Sequence, residues 1–117
     1  METEHDPEEG QLAVDVFQTE DEVVLKAPIA GVGPGDLDIS ITDEAITIRG
    51  ERRNTHKVRA EEYLVQECYW GPFSRTYILP IQVVAEKANA LLKEGILTIT
   101  IPKDEKSKTK TLTVQAG

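Results

Sequence analysis

Ala88-Asn89-Ala90-Leu91-Leu92-Lys93-Glu94-Gly95-Ile96-Leu97-Thr98-Ile99-Thr100-Ile101-Pro102-Lys103 decides the fold of this chain. Ala88, Ala90 and Leu92 alternate with their neighbours, Glu94-Gly95 breaks the run, and Ile96 to Ile101 form a β-branched run closed by Pro102. The pattern predicts two strands joined by a tight turn. Gly95 can take a positive φ at no steric cost, so Leu97, Ile99 and Ile101 share one face and Thr98 and Thr100 the other. The second of these is expected to be a core strand of its sheet.

The same period of two recurs upstream. Leu12, Val14 and Val16 alternate with Ala13, Asp15 and Phe17, Glu22 to Pro28 forms a compact strand, and Leu37, Ile39 and Ile41 alternate with Asp38, Ser40 and Thr42. Asp43-Glu44 then connects to Ala45 to Gly50, which predicts a hairpin. Gly31-Val32-Gly33-Pro34-Gly35 superficially resembles a phosphate-cradling loop. Pro34 removes a needed N–H, and a strand period follows where a helix would be required, so the segment reads as a linker. Turns punctuate seven or eight short strands and no long helix is expected. The architecture is therefore an all-β, immunoglobulin-like sandwich of 7–8 antiparallel strands.

Composition narrows the function classes. The chain has 117 residues, enough for one domain, with 39% hydrophobic and 5% aromatic residues. Such a core is built from Val, Ile, Leu and Ala. The net charge of −8 is concentrated at the start: five acids and no base occupy Met1 to Gly10, leaving 16 acids against 13 bases elsewhere. Residues 1–10 read as a disordered acidic arm, 11–103 as the domain and 104–117 as a flexible extension. An acidic surface disfavours nucleic acid and anionic membrane. No apolar run reaches the ~20 residues needed to span a bilayer. With a single cysteine, Cys68, and no secretory leader pattern, the expected location is the cytoplasm.

Nothing in the chain composes a catalytic or metal centre. His5 and His56 lack a second ligand at useful spacing, and Asp36/Asp38 and Glu61/Glu62 read as solvated charges. Arg49, Arg52, Arg53, Lys57 and Arg59 lack the interleaved aromatic rings of a single-strand binding platform. The expectation is no enzyme, no cofactor, no metal and no small-molecule substrate.

Two segments stand out. Residues 51–62 form a polar excursion that ends in Tyr63-Leu64-Val65-Gln66-Glu67-Cys68-Tyr69-Trp70, a strand-like run holding the single tryptophan. So long a loop in a compact sandwich is expected to act between chains. Near the end, Leu112-Thr113-Val114 is an isolated apolar pair behind a charged tail, suited to docking in extended form with both side chains in one groove.

Taken together, five places resemble the α-crystallin domain of the small heat shock proteins. They are Val14-Asp15-Val16-Phe17, Ala27 to Val32, Ile46 to Arg52, Phe73-Ser74-Arg75 with Leu79-Pro80, and Ala90 to Lys103 with Gly95 and Leu97 at its turn. The long loop resembles the bacterial and plant branch. That resemblance implies that Tyr63, Leu64, Val65, Glu67, Tyr69 and Trp70 cross to a second protomer and pair beside Leu12, Val14 and Val16. Arg75, which in isolation would read as a solvated outward arginine, would then sit at the dimer interface with Glu67 as a partner. It also implies that Leu112 and Val114 dock in a neighbouring dimer, in a groove between Ile39 and Ile41 on one side and Ala88, Ala90 and Leu92 on the other.

The implied function is an ATP-independent holdase that binds partly unfolded clients and assembles as homodimers and larger oligomers. A sandwich-fold co-chaperone that recruits a folded partner is the alternative. One departure from the family pattern is the short acidic arm where relatives carry a longer apolar one, which leaves client binding to the sandwich grooves.

Overall fold

The computed structural model describes residues 10–108 and 111–117. The acidic arm up to Glu9, and Thr109-Lys110 of the tail, lie outside the described residues. Eight strands are described: β1 (Gly10–Gln11), β2 (Asp15–Gln18), β3 (Glu22–Pro28), β4 (Leu37–Ile41), β5 (Ala45–Arg52), β6 (Gly71–Ile78), β7 (Asn89–Lys93) and β8 (Ile96–Pro102). They form two four-stranded sheets, ordered β1-β6-β5-β4 and β2-β3-β8-β7.

Residues paired across a ladder share a face, so the registers sort side chains into inward and outward rows. In the second sheet, Val16, Leu25, Ile99 and Ala90 form one inward row, and Phe17, Val24, Thr100 and Asn89 the next outward row. In the first sheet, Ile39, Ile48 and Arg75 point inward, while Ser40, Thr47 and Thr76 point outward. The inward rows make the core, in which Leu25, Ile29, Ile46, Ile48, Leu97, Ile99 and Ile101 are fully buried. β8 lies between β3 and β7, at the core position its Leu-x-Ile-x-Ile alternation requires. The β7–β8 turn places Glu94 at φ 54° and Gly95 at φ 77°, the pair of positive values that a two-residue hairpin of matching twist demands.

Four local features differ from the sequence expectation. The strand expected from Leu12, β2, begins at Asp15, three residues later, although the predicted alternation of burial holds from Leu12 onward. Gly10, assigned to the arm, instead starts β1, which runs parallel to β6 where only antiparallel pairs were expected. Tyr63 to Trp70 forms no ladder within the chain and is extended backbone after a short 3-10 turn, Ala60–Glu62. A strand-like sequence cannot form a strand without a neighbour to bond.

The extension also starts differently. Asp104 caps a 3-10 turn, Glu105–Ser107, by accepting from the Lys106 N–H, and Ser107 Oγ accepts from the Gln82 N–H at 3.0 Å. Lys108 bridges Glu105 (3.0 Å) and Asp21 (3.4 Å). These contacts fasten the first residues of the tail to the sandwich. The molecule measures 81 × 30 × 23 Å with a radius of gyration of 18.8 Å. A compact chain of this length would have a radius near 14 Å, so exposed segments reach well away from the sandwich.

Candidate functional site

The sandwich is unfinished along its sides. β1 and β2 are consecutive and cap the two sheets on one side, which puts the other two end strands, β4 and β7, together on the opposite side. Ile39 and Ile41 of β4 pair with buried Ile48 and Ile46, and Ala90 and Leu92 of β7 pair with buried Ile99 and Leu97, so all four face inward. Ile39, Ile41, Ala88 and Leu92 pack on the core yet stay half-buried, and Ala90 is exposed in spite of its inward register. The result is an open apolar cleft between two edge strands. The Asp43 carboxylate, 3.4 Å from the Ala85 N–H, ties the two walls at one end.

The tail does not occupy this cleft in its own chain. Leu112 and Val114 are 72% and 92% exposed, in a segment without secondary structure. Two large aliphatic side chains held in water are unfavourable by about 3–5 kcal/mol relative to burial.

On the opposite side, β2 presents a bare edge and the loop an exposed, extended segment. The loop leaves β5 through Arg52, whose Nε donates to the Ala30 carbonyl (2.8 Å) and whose guanidinium sits 5.6 Å from the centre of the Phe73 ring. Arg53 pairs with Asp36 at 2.9 Å, and that contact raises its pKa. In the 3-10 turn, Glu62 accepts from the Arg59 guanidinium (2.9 Å) and backbone (3.2 Å), which holds its carboxyl below the usual carboxylate range. The turn is therefore supported above the ordinary Glu pKa and loosens as acid protonates Glu62. Beyond it, residues 64–70 are exposed throughout, with Leu64 at 100% and Val65 at 70%. Cys68 is a free, exposed thiol.

Arg75 is not the outward residue its isolated sequence context suggests. Its register with Ile48 turns it inward near the β1–β2 side, and Nη1 donates to the Leu12 carbonyl at 2.7 Å. Glu67 lies on the exposed loop. Leu12 itself is 5% exposed and belongs to the core of its own sandwich, and its carbonyl is taken by Arg75, while Val14 and Val16 stay half-buried. The alternation of apolar residues in β6 could have revealed this inward arginine, since Phe73, Arg75 and Tyr77 share one parity. Arg75→Ala removes a charged hydrogen bond from a part-buried rim. It is expected to lower stability by about 1–2 kcal/mol in urea unfolding with an unchanged m-value.

Among the described residues there is no group of three or more His, Cys, Asp or Glu placed to hold a metal ion, and no helix long and apolar enough to cross a membrane. What the geometry offers is main-chain edges and an apolar cleft.

Comparison with known proteins points the same way. Residues 15–115 match the Hsp20/alpha crystallin family. The chain is 33% identical over 101 residues to "Small heat shock protein C2" of Rickettsia felis, covering 86% of this chain and 66% of the relative. It is 34% identical over 106 residues to "Heat shock protein 16" of Schizosaccharomyces pombe, covering 89% and 74%. The fold superposes on heat shock protein 16.0 from Schizosaccharomyces pombe with a TM-score of 0.79 at 32% identity, over 94% of this chain and 78% of that one. A small heat-shock protein from Xylella fastidiosa gives 0.71 at 28% identity, over 91% and 95%. The chain spans 61–66% of two curated Rickettsia felis relatives it matches.

Proposed function

The chain belongs to the Hsp20/alpha crystallin family, and from that premise we propose that it is an ATP-independent holdase that keeps partly unfolded proteins from aggregating and assembles from homodimers into larger oligomers. The observation that carries this reading is the open cleft between β4 and β7. Half-buried Ile39, Ile41, Ala88 and Leu92 flank the exposed, inward-facing Ala90 there. A small side chain at the mouth leaves space for guest side chains, and two bare strand edges offer main-chain donors and acceptors to any extended polypeptide. An unfolded client presents both features.

The same surfaces serve assembly. The exposed Leu112 and Val114 would dock in the β4–β7 cleft of a neighbouring copy, and Tyr63 to Trp70 would pair with the edge of β2. Each contact is individually weak once the cost of ordering a tail is subtracted, and many together are strong. Binding stays exchangeable, as a holdase requires. The medium of action is the cytoplasm, with neither nucleotide nor cofactor taking part.

The chain is expected to suppress light scattering from a heat-stressed client in the absence of nucleotide, approaching completion at several-fold molar excess over client. Undiminished scattering at that excess would count against the proposal.

A further inference from the structure

The outer face of β2 carries a feature that the inner-face interface does not use. Phe17 points away from the core, opposite Val24, and remains 47% exposed. Val24 also points outward and lies outside the core cluster, yet is only 7% exposed. An outer strand face is ordinarily polar, as the Ser40, Thr47 and Thr76 row of the first sheet is. β2 therefore carries a large apolar side chain on each face at its centre, Val16 inward and Phe17 outward, between polar Asp15 and Gln18. The exposed segment 63–70 has the same two-sided pattern: Tyr63, Val65 and Tyr69 on one parity, Leu64 and Trp70 on the other.

Charge assigns the parities. Arg75 is the charged residue on the inward register of β6 at this side of the sandwich, with Nη1 on the Leu12 carbonyl. Glu67 is the sole acid of segment 63–70, so the parity holding Glu67 belongs inward, toward Arg75, where the guanidinium compensates its desolvation. The opposite parity then lies outward, over Phe17.

Resting on the strand exchange proposed above, we infer that Phe17 is the outer anchor of that edge. It seats Trp70 of a second copy, while Val14, Val16 and Arg75 receive that copy's Val65, Glu67 and Tyr69. The interface is thus two-sided, and Phe17 makes the β2 edge specific for a strand apolar on both parities.

Phe17→Lys in the full chain tests this, because an outward, half-exposed position tolerates lysine without unfolding the sandwich. Sedimentation should show a dimer dissociation constant raised about tenfold or more, as for loss of an interface anchor. Wild-type Trp70 emission, blue-shifted in the dimer, should move to the red on dilution, and in Phe17→Lys at higher protein concentrations. A double variant, Val65→Asp with Tyr69→Asp, is the control for the exchange itself. If the double variant dissociates while Phe17→Lys stays dimeric with unchanged emission, the outer anchor is overturned and the exchange stands. If neither variant changes the dimer, the exchange falls with it.

Discussion

Gly50→Ala is expected to lower the stability of the protomer by about 3 kcal/mol, the largest effect of any single methyl group in the fold. Gly50 sits in β5 between Leu37 and Phe73, on the inward face. A Cβ there would lie 2.5 Å from Phe73 Cζ and 2.9 Å from the Asp36 carbonyl oxygen, closer than carbon atoms can approach. Neither neighbour can yield cheaply. Phe73 is 3% exposed and covered by the Arg52 guanidinium, and the Asp36 carbonyl belongs to the backbone entering β4. Denaturant unfolding checks this, with Gly35→Ala as the control: nothing lies within 4 Å of a Cβ at that position, so its effect should stay within about 0.5 kcal/mol. A small domain holds roughly 5–15 kcal/mol in all, so the first change consumes a large part of it and the second does not.

The second large effect concerns assembly and leaves the fold alone. Removing residues 111–117, or replacing Leu112 and Val114 together by alanine, is expected to reduce the larger oligomers to dimers. Both side chains are in water within the protomer, so unfolding curves of the sandwich should not move. Each docked tail contributes at most about 3–5 kcal/mol of burial before ordering costs, but every subunit contributes one, and the losses compound across the assembly. Ala90→Phe should act from the other side, filling the mouth of the cleft and excluding the tail. Light scattering or analytical ultracentrifugation distinguishes the two sizes. Unchanged mass in all three variants would show that the cleft does not take the tail.

Much of this was legible in the residues. The period-two runs of Ile96 to Ile101, Leu37 to Ile41 and Ala45 to Gly50 translated into strands because each has one buried face, and a one-residue slip would have moved every aliphatic side chain into water. The direction of Ala90 and Leu92 followed from the hairpin, since they pair with Ile99 and Leu97 across it; that they line a groove with Ile39 and Ile41 was implied by the family resemblance alone. Less legible was anything that depends on a partner strand. Tyr63 to Trp70 has strand propensity, but propensity supplies no hydrogen-bonding neighbour, and within one chain it remains extended and exposed. The inward turn of Arg75 was only half legible: it shares the parity of Phe73 and Tyr77, but an arginine taken alone reads as solvated until its ladder register is known. The fastening of Asp104 to Lys108 was hidden by charge: a run of acids and lysines resembles a solvated tail, and the Ser107 hydroxyl meeting the Gln82 amide depends on a crossing that composition does not encode.

What links the cleft, the β2 edge, the exposed loop segment and the exposed tail is that each stands open within one protomer, and the proposed assembly closes each with a second copy. The mass of the intact chain in native solution at micromolar concentration tests that most directly. The account predicts even multiples of the 13.0 kDa protomer, with no persistent single-chain species. A homogeneous 13.0 kDa monomer under the same conditions would contradict it.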